Sequence, residues 1–93
     1  MSANWRLRAA CISEPPALFF AAEDETPLRR RLRESMARQV CAGCPVRRAC
    51  LNFRLSFPCQ RDDAIWAGYD QDERRALRHA LLKREQRRTE EAA

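Results

Sequence analysis

Five cysteines in a 93-residue chain set the first constraint on this fold. Their spacing is Cys11-x29-Cys41-x2-Cys44-x5-Cys50, with Cys59 following after eight more residues. The rest of the sequence offers little apolar mass. Leu, Ile, Val and Phe together are 17 of the 93 residues, and 15 of the remaining apolar positions are alanine. Charged residues make up 33% and the formal net charge is +5. Ordering each backbone residue costs ~1–2 kcal/mol, and so thin a core offsets that poorly. Small chains in this position use disulfides, a metal or a partner as a staple. An odd cysteine count argues against a closed disulfide set. No secretory-type apolar stretch opens the chain, so a cytoplasmic location with reduced thiols is expected. No apolar run approaches ~18 residues, so no membrane span is expected.

Strand patterns are absent and helix patterns recur, which predicts a small all-α domain of about four short helices. Asn4 caps a short helix over Trp5 to about Ala10. Pro15-Pro16 break the chain before an apolar knot, Ala17-Leu18-Phe19-Phe20. Thr26 is an N-cap with Pro27 at the first helical position. Leu28, Leu32, Met36 and Val40 then recur every four residues, predicting an apolar stripe opposite an Arg-rich face. Cys41-Ala42-Gly43-Cys44 ends that helix, with Gly43 supplying a tight turn. Pro45 opens the next helix, with Val46, Cys50, Phe53 and Phe57 on one face, and Pro58 stops it. Ile65 to Tyr69 is a turn. Asp70 and Glu73 form a capping box for a last helix from about Gln71 toward Arg88, striped by Ala76, Leu77, Ala80 and Leu81. The whole chain, 1–93, is expected to be one domain. It comprises a core at about 4–69, a basic helix at about 70–88 and a frayed tail at 89–93.

Cys41 and Cys44 lie at facing helix ends, and Cys50 falls on the following helix within reach of the same centre. Cys11 would bolt the N-terminal segment to this hairpin. Four thiolates around one centre suit zinc or an iron–sulfur cluster. Structural zinc usually takes two close cysteine pairs; only one is present here, which favours a cluster. Both tetrathiolate centres carry the same charge, so charge does not decide.

The residues resemble a known family at this point. Trp5 through Cys11, Leu18-Phe19-Phe20, Cys41-x2-Cys44-Pro45-Val46-Arg47-x2-Cys50-Leu51, Ile65-Trp66-x-Gly68 and Glu73-Arg74-Arg75 look like the WhiB-like proteins of actinobacteria and their phages. The resemblance implies one 4Fe–4S cluster per chain, mapped onto Cys11, Cys41, Cys44 and Cys50, inside a small helical fold. It further implies sensitivity to oxygen and nitric oxide and binding to the C-terminal domain of the primary sigma factor. The family turn usually reads Gly-[Val/Ile]-Trp-Gly-Gly. Here Ala64 and Ala67 replace two glycines, and a type II turn over Trp66–Tyr69 is expected, with positive φ only at Gly68. Cys59 lies outside the four-ligand pattern.

Trp5, Phe19, Phe20 and Trp66, with Gly68 beside them, are candidates for the sigma-factor surface; the same aromatics would also serve as core. Arg74, Arg75, Arg78, Lys83, Arg84, Arg87 and Arg88 are candidate phosphate contacts with promoter DNA, the alternative being a solvated helix face. His79 is a lone histidine with no ligand partner in sequence. The expected function is an iron–sulfur, redox- or NO-responsive transcription regulator that binds sigma factor and DNA. The alternatives are a zinc-stapled adaptor, or a thiol–disulfide oxidoreductase using Cys41 and Cys44, which would lack the usual βαβ context. No general base, catalytic carboxylate pair or phosphate-cradling loop is visible, so neither an enzyme nor a small-molecule substrate is expected.

Overall fold

A computed structural model describes residues 4–57 and 62–92. Short 3-10 turns cover Trp5–Arg8, Ala10–Ser13 and Pro16–Leu18. Three α-helices follow: α1 (Pro27–Ala42), α2 (Arg47–Leu55) and α3 (Gln71–Ala92). The described residues hold no strand, only one isolated bridge between Trp66 and Tyr69. The fold is all-α, as the sequence pattern predicts. The expected N-terminal helix is instead two 3-10 turns, parted at Ala9, whose ψ of 134° is extended. Pro58 and Cys59 lie outside the described residues.

Two of the three capping expectations hold; Asn4 stands at the N-cap of the first 3-10 turn, but its side chain makes no capping hydrogen bond there. Thr26 Oγ1 accepts from Arg29 N at 3.2 Å, with Pro27 opening α1. Asp70 Oδ1 accepts from Glu73 N at 2.8 Å, and Asp70 N donates to Glu73 Oε1 at 2.9 Å. These reciprocal bonds use donors that the first helical turn would otherwise leave unpaired. Gly43 closes α1 at an ordinary φ of −95°, and a Cβ there would meet nothing within 4 Å. Its turn therefore does not demand glycine.

The apolar stripe of α1 meets the core only at its last member, Val40. Leu28, Leu32 and Met36 are 59%, 58% and 56% exposed. The helix turns its other side inward, burying Ala37 and Cys41 against Phe19 and Ile65, with Leu18 and Val40 at the edge. Small residues let the helix come close to the 62–69 segment, and closeness decides which side packs. On α3, Ala76, Ala80 and Leu81 are exposed and Leu77 half-buried. The only buried residue of α3 is Arg74. From His79 onward every described residue is exposed, so α3 runs out from the body, and it stays helical through residues 89–92, where fraying was expected.

Polar clamps do much of the work that aliphatics do elsewhere. Arg54 and Arg74 are both buried and converge on Asp62. Arg54 donates to Asp62 Oδ2 from Nε and Nη2 at 3.1 and 2.9 Å, and Arg74 Nη2 donates to Oδ1 at 2.8 Å. Asp62 Oδ1 also accepts from Ala64 N at 3.1 Å. Burial lowers the Arg74 pKa from its ordinary value, opposed by the Asp62 charge. Glu25 is held below the usual carboxylate range by its bond from Arg33.

Removing one partner of such a group strands charge in the interior. Full burial would put that cost at several kcal/mol; Asp62 is itself 32% exposed, which moderates it. Asp62→Ala is expected to destabilise by roughly 2–3 kcal/mol. Denaturant unfolding checks this, as a lower midpoint at unchanged slope.

Candidate metal centre

Four pieces of the chain carry the four cysteines. Cys41 sits in the last turn of α1 and is buried. Cys44 lies in the turn between α1 and α2, with its N–H donating to Cys41 O at 3.1 Å. Cys50 is in α2, and its N–H reaches Val46 O at 2.9 Å. Cys11 comes from the second 3-10 turn and is exposed. The N-terminal segment is tied to the hairpin at the cysteines themselves, where Ala10 N donates to Cys44 Sγ at 3.4 Å. None of the four forms a disulfide.

The other cysteines act on Cys41 and Cys50. Burial pushes the Cys50 thiol up to about 11; the Ala67 amide opposes this, and negative charge on Cys41, Cys11 and Cys44 adds to it. Burial also raises Cys41, opposed by the Gly68 amide, with Cys44 and Cys11 again adding and Arg47 opposing. Two buried sulfurs, Cys41 and Cys50, that resist ionising beside two further cysteines need a cationic centre among them to become thiolates. The donor set therefore fits a metal group. Among the described residues, no three His, Cys, Asp or Glu side chains gather in the geometry of a single metal ion.

The turn Trp66-Ala67-Gly68-Tyr69 covers this centre. Trp66 N donates to Tyr69 O at 3.0 Å and Tyr69 N to Trp66 O at 2.9 Å. Ala67 has φ of 54° and Gly68 of 84°. Positive φ at both central positions marks a type I′ turn rather than the expected type II. The paired ends of a two-residue hairpin select the primed turn, and Ala67 is carried into the left-handed region with it.

The family model for the WhiB transcription factor matches residues 5–77. The chain belongs to the WhiB family. It is 37% identical over 75 residues to the transcriptional regulator WhiB1 of Mycobacterium tuberculosis, covering 81% of this chain and 84% of that protein. It is 38% identical over 74 residues to the transcriptional regulator WhiD of Streptomyces coelicolor, covering 80% of this chain and 64% of the relative. The redox- and pH-responsive transcriptional regulator WhiB3 of Mycobacterium tuberculosis is 31% identical over 74 residues, covering 80% and 71%. Transcription regulation is the function this family carries. Among the described residues no helix is long and apolar enough to cross a membrane.

The WhiB-type aromatics separate into three settings. Phe19 is core, 7% exposed, and its carbonyl accepts from Ile65 N at 2.9 Å. Trp5 and Trp66 are half-buried on either side of Phe53, with ring centroids 5.8 and 6.4 Å from it. Arg6 stacks over both Trp5 and Phe53, at 4.7 and 4.3 Å. Trp66 Nε1 is buried without a partner. Phe20 alone of these aromatics is fully outward, 53% exposed. Gly68 is buried beneath Arg47.

The basic helix is not uniform either. Arg74 is 4% exposed and donates to Ala64 O at 3.0 Å as well as to Asp62, so its guanidinium is not presented to solvent. Arg78 is half-buried and donates from Nη1 to Leu55 O. Arg75, Lys83, Arg84, Arg87 and Arg88 are exposed. His79 is exposed. Sequence reasoning missed Phe53 as the aromatic hub, and Arg38 and Arg47 as holders of the turn. Their signal was a bias of 17 arginines to one lysine.

Left-handed φ costs a non-glycine residue ~1–2 kcal/mol, while glycine gives back ~0.4–1 kcal/mol through the unfolded chain. Ala67→Gly is therefore expected to stabilise the fold by roughly 0.5–1 kcal/mol. A raised thermal midpoint checks it; an unchanged or lowered one would show that the Ala67 methyl packs well enough to offset the strain.

Proposed function

We propose that this WhiB-family regulator holds one 4Fe–4S cluster on Cys11, Cys41, Cys44 and Cys50, with Cys59 outside the ligand set. The observation that supports it most is that Cys11, Cys41 and Cys44 lie near enough to Cys50 to act on it, with burial raising both Cys41 and Cys50. When bound, the cluster supplies an electron-accepting centre that reacts with oxygen and nitric oxide. The chain's own residues do the rest. Cys11 ties the N-terminal turns to the α1–α2 hairpin, so cluster loss releases that segment. Arg47 places positive charge near Cys41, and the amides of Ala67 and Gly68 face Cys50 and Cys41. Both partly offset the charge of four thiolates.

The partner side follows from exposure. Phe20 offers an outward aromatic next to the core residue Phe19, and the Trp66 ring is half-exposed. These features, with Trp5, suit docking on the C-terminal domain of the primary sigma factor. The exposed bases of α3, Arg75, Lys83, Arg84, Arg87 and Arg88, suit promoter phosphates. Loss or change of the cluster would then alter the docked surface, which makes the regulator responsive to redox state or nitric oxide in the cytoplasm.

The single most direct test is the spectrum after anaerobic purification. A brown protein absorbing near ~400 nm, with iron and sulfide in equal amounts, is expected. Replacing any of Cys11, Cys41, Cys44 or Cys50 by Ala should abolish it, and Cys59→Ala should keep it. Iron removal should lower the helical circular dichroism, because metal-linked folding couples the two. A colourless wild type containing zinc would sink the cluster assignment.

Partner contacts are separable by salt. Phe20→Ala is expected to weaken sigma-domain binding roughly 30-fold, the scale of a lost ~2 kcal/mol hot spot, without changing the cluster spectrum. Charge reversal at Arg84, Arg87 and Arg88 should cut promoter association steeply at low salt and less at high salt. Paired affinities at two salt concentrations decide; equal promoter affinity at both would make the end of α3 a solvated face.

A further inference from the structure

The turn over the cysteines meets them through its backbone. Trp66 and Tyr69 pair their amides with each other's carbonyls. The Ala67 and Gly68 amides instead face Cys50 and Cys41. The Gly68 backbone comes so near Cys41 that a Cβ on it would lie 3.4 Å from Cys41 Cβ. Arg47 reaches over from α2 and donates from Nε to Ala67 O at 2.7 Å. Its guanidinium lies 5.2 Å from the Tyr69 ring centre. It also fills the space above Gly68, where a Cβ would meet Arg47 Nη2 at 2.8 Å. Gly68 thus suits its place twice, by its positive φ and by the room it leaves for the guanidinium.

The carbonyl of Ala67 and the N–H of Gly68 belong to one planar trans peptide and point in opposite directions. Fixing one fixes the other. We propose that Arg47 is a positioning residue for the cysteine centre: by holding Ala67 O it aims the Gly68 N–H at Cys41 Sγ, which raises the reduction potential of the bound cluster and slows its loss of iron. The proposal rests on the iron–sulfur assignment above. The direction follows from charge. The reduced cluster carries one more electron, and a donor aimed at a ligating sulfur stabilises it more than the oxidised form. Arg38 provides the internal comparison. Its Nη1 donates to Gly68 O at 3.0 Å, but that carbonyl shares its peptide with Tyr69 N–H, which faces Trp66 O rather than a cysteine.

The test compares Arg47→Gln with Arg48→Gln, which removes the same charge from an exposed neighbour. Three quantities are read anaerobically on the protein as purified: midpoint potential, iron release to a chelator, and hydrogen exchange of the Gly68 amide by NMR. Arg47→Gln is expected to move the potential to a more negative value, to release iron roughly tenfold faster, the usual scale for a lost outer-shell partner, and to exchange the Gly68 amide faster. Arg48→Gln and Arg38→Gln should leave the potential near the wild-type value. Should Arg47→Gln fail to fold, Arg47→Lys keeps the charge and stem but lacks the Nε donor, and is read in the same way. Equal potential shifts in the Arg47 and Arg48 variants would overturn the proposal, since charge alone would then suffice. So would an unchanged potential with only a lower melting temperature. Wild-type protein without iron and sulfide would end the cluster assignment instead. In that case Gly68 exchange, which needs no iron, still decides whether Arg47 orients the peptide, and equal exchange in wild type and Arg47→Gln would overturn it.

Discussion

Guanidinium groups holding backbone carbonyls are the interaction on which this structure depends. Arg33 donates to Leu18 O, Arg38 to Gly68 O, Arg47 to Ala67 O, Arg54 to Phe57 O, Arg74 to Ala64 O and Arg78 to Leu55 O. Irregular backbone buried against helices has carbonyls that no strand or helix satisfies, and each would be costly if left without a donor. The 62–69 segment is such a stretch. Arginine meets the need because five donors in a rigid fork can serve a carbonyl and a carboxylate together. Arg38 does so across Gly68 O, Asp70 and Glu73, and Arg74 across Ala64 O and Asp62. A lysine, with one compact ammonium, would not span those acceptors. The strong preference for arginine over lysine therefore has a structural use in this fold, beyond contact with phosphate.

Much of the local structure was legible because its causes are local. Thr26-Pro27 and Asp70 with Glu73 mark helix starts through side chains that reach donors three residues away. The cysteine spacing likewise drew attention to the α1–α2 hairpin, since a helix end, a turn and the next helix lie within ten residues there. The aromatic settings were not legible. Phe53 looks like one more apolar position of a short helix, yet Trp5 and Trp66 meet on it from far before and shortly after it in the sequence. The type I′ turn was hidden too, because an alanine in the left-handed region contradicts its own propensity and is held there by contacts from Arg38 and Arg47.

The misread face of α1 has the same origin. Leu28, Leu32 and Met36 recur with helical period, and periodicity ordinarily marks the buried side. Here the interior is narrow and polar, and the side that fits it carries Ala37 and Cys41. Large side chains would hold α1 away from the turn and so keep Cys41 away from Gly68, whose backbone needs close approach. A thin core is then not merely a deficit. It lets three segments converge on the cysteines, and it explains why apolar residues of ordinary core size are left outside.

The same accounting changes what the net charge of +5 means for DNA. Arg33, Arg38, Arg54, Arg74 and Arg78 are committed to carbonyls or carboxylates of the body. The bases that remain outward on α3 are Arg75 and then Lys83, Arg84, Arg87 and Arg88, beyond the point where the helix leaves the core. A helix end carrying charge, with no buried side chain to fix its orientation, can follow a phosphate backbone but offers no rigid frame for reading base edges. Register on a promoter must then come from whatever the body docks against, and the free end of α3 adds salt-dependent affinity to that placement.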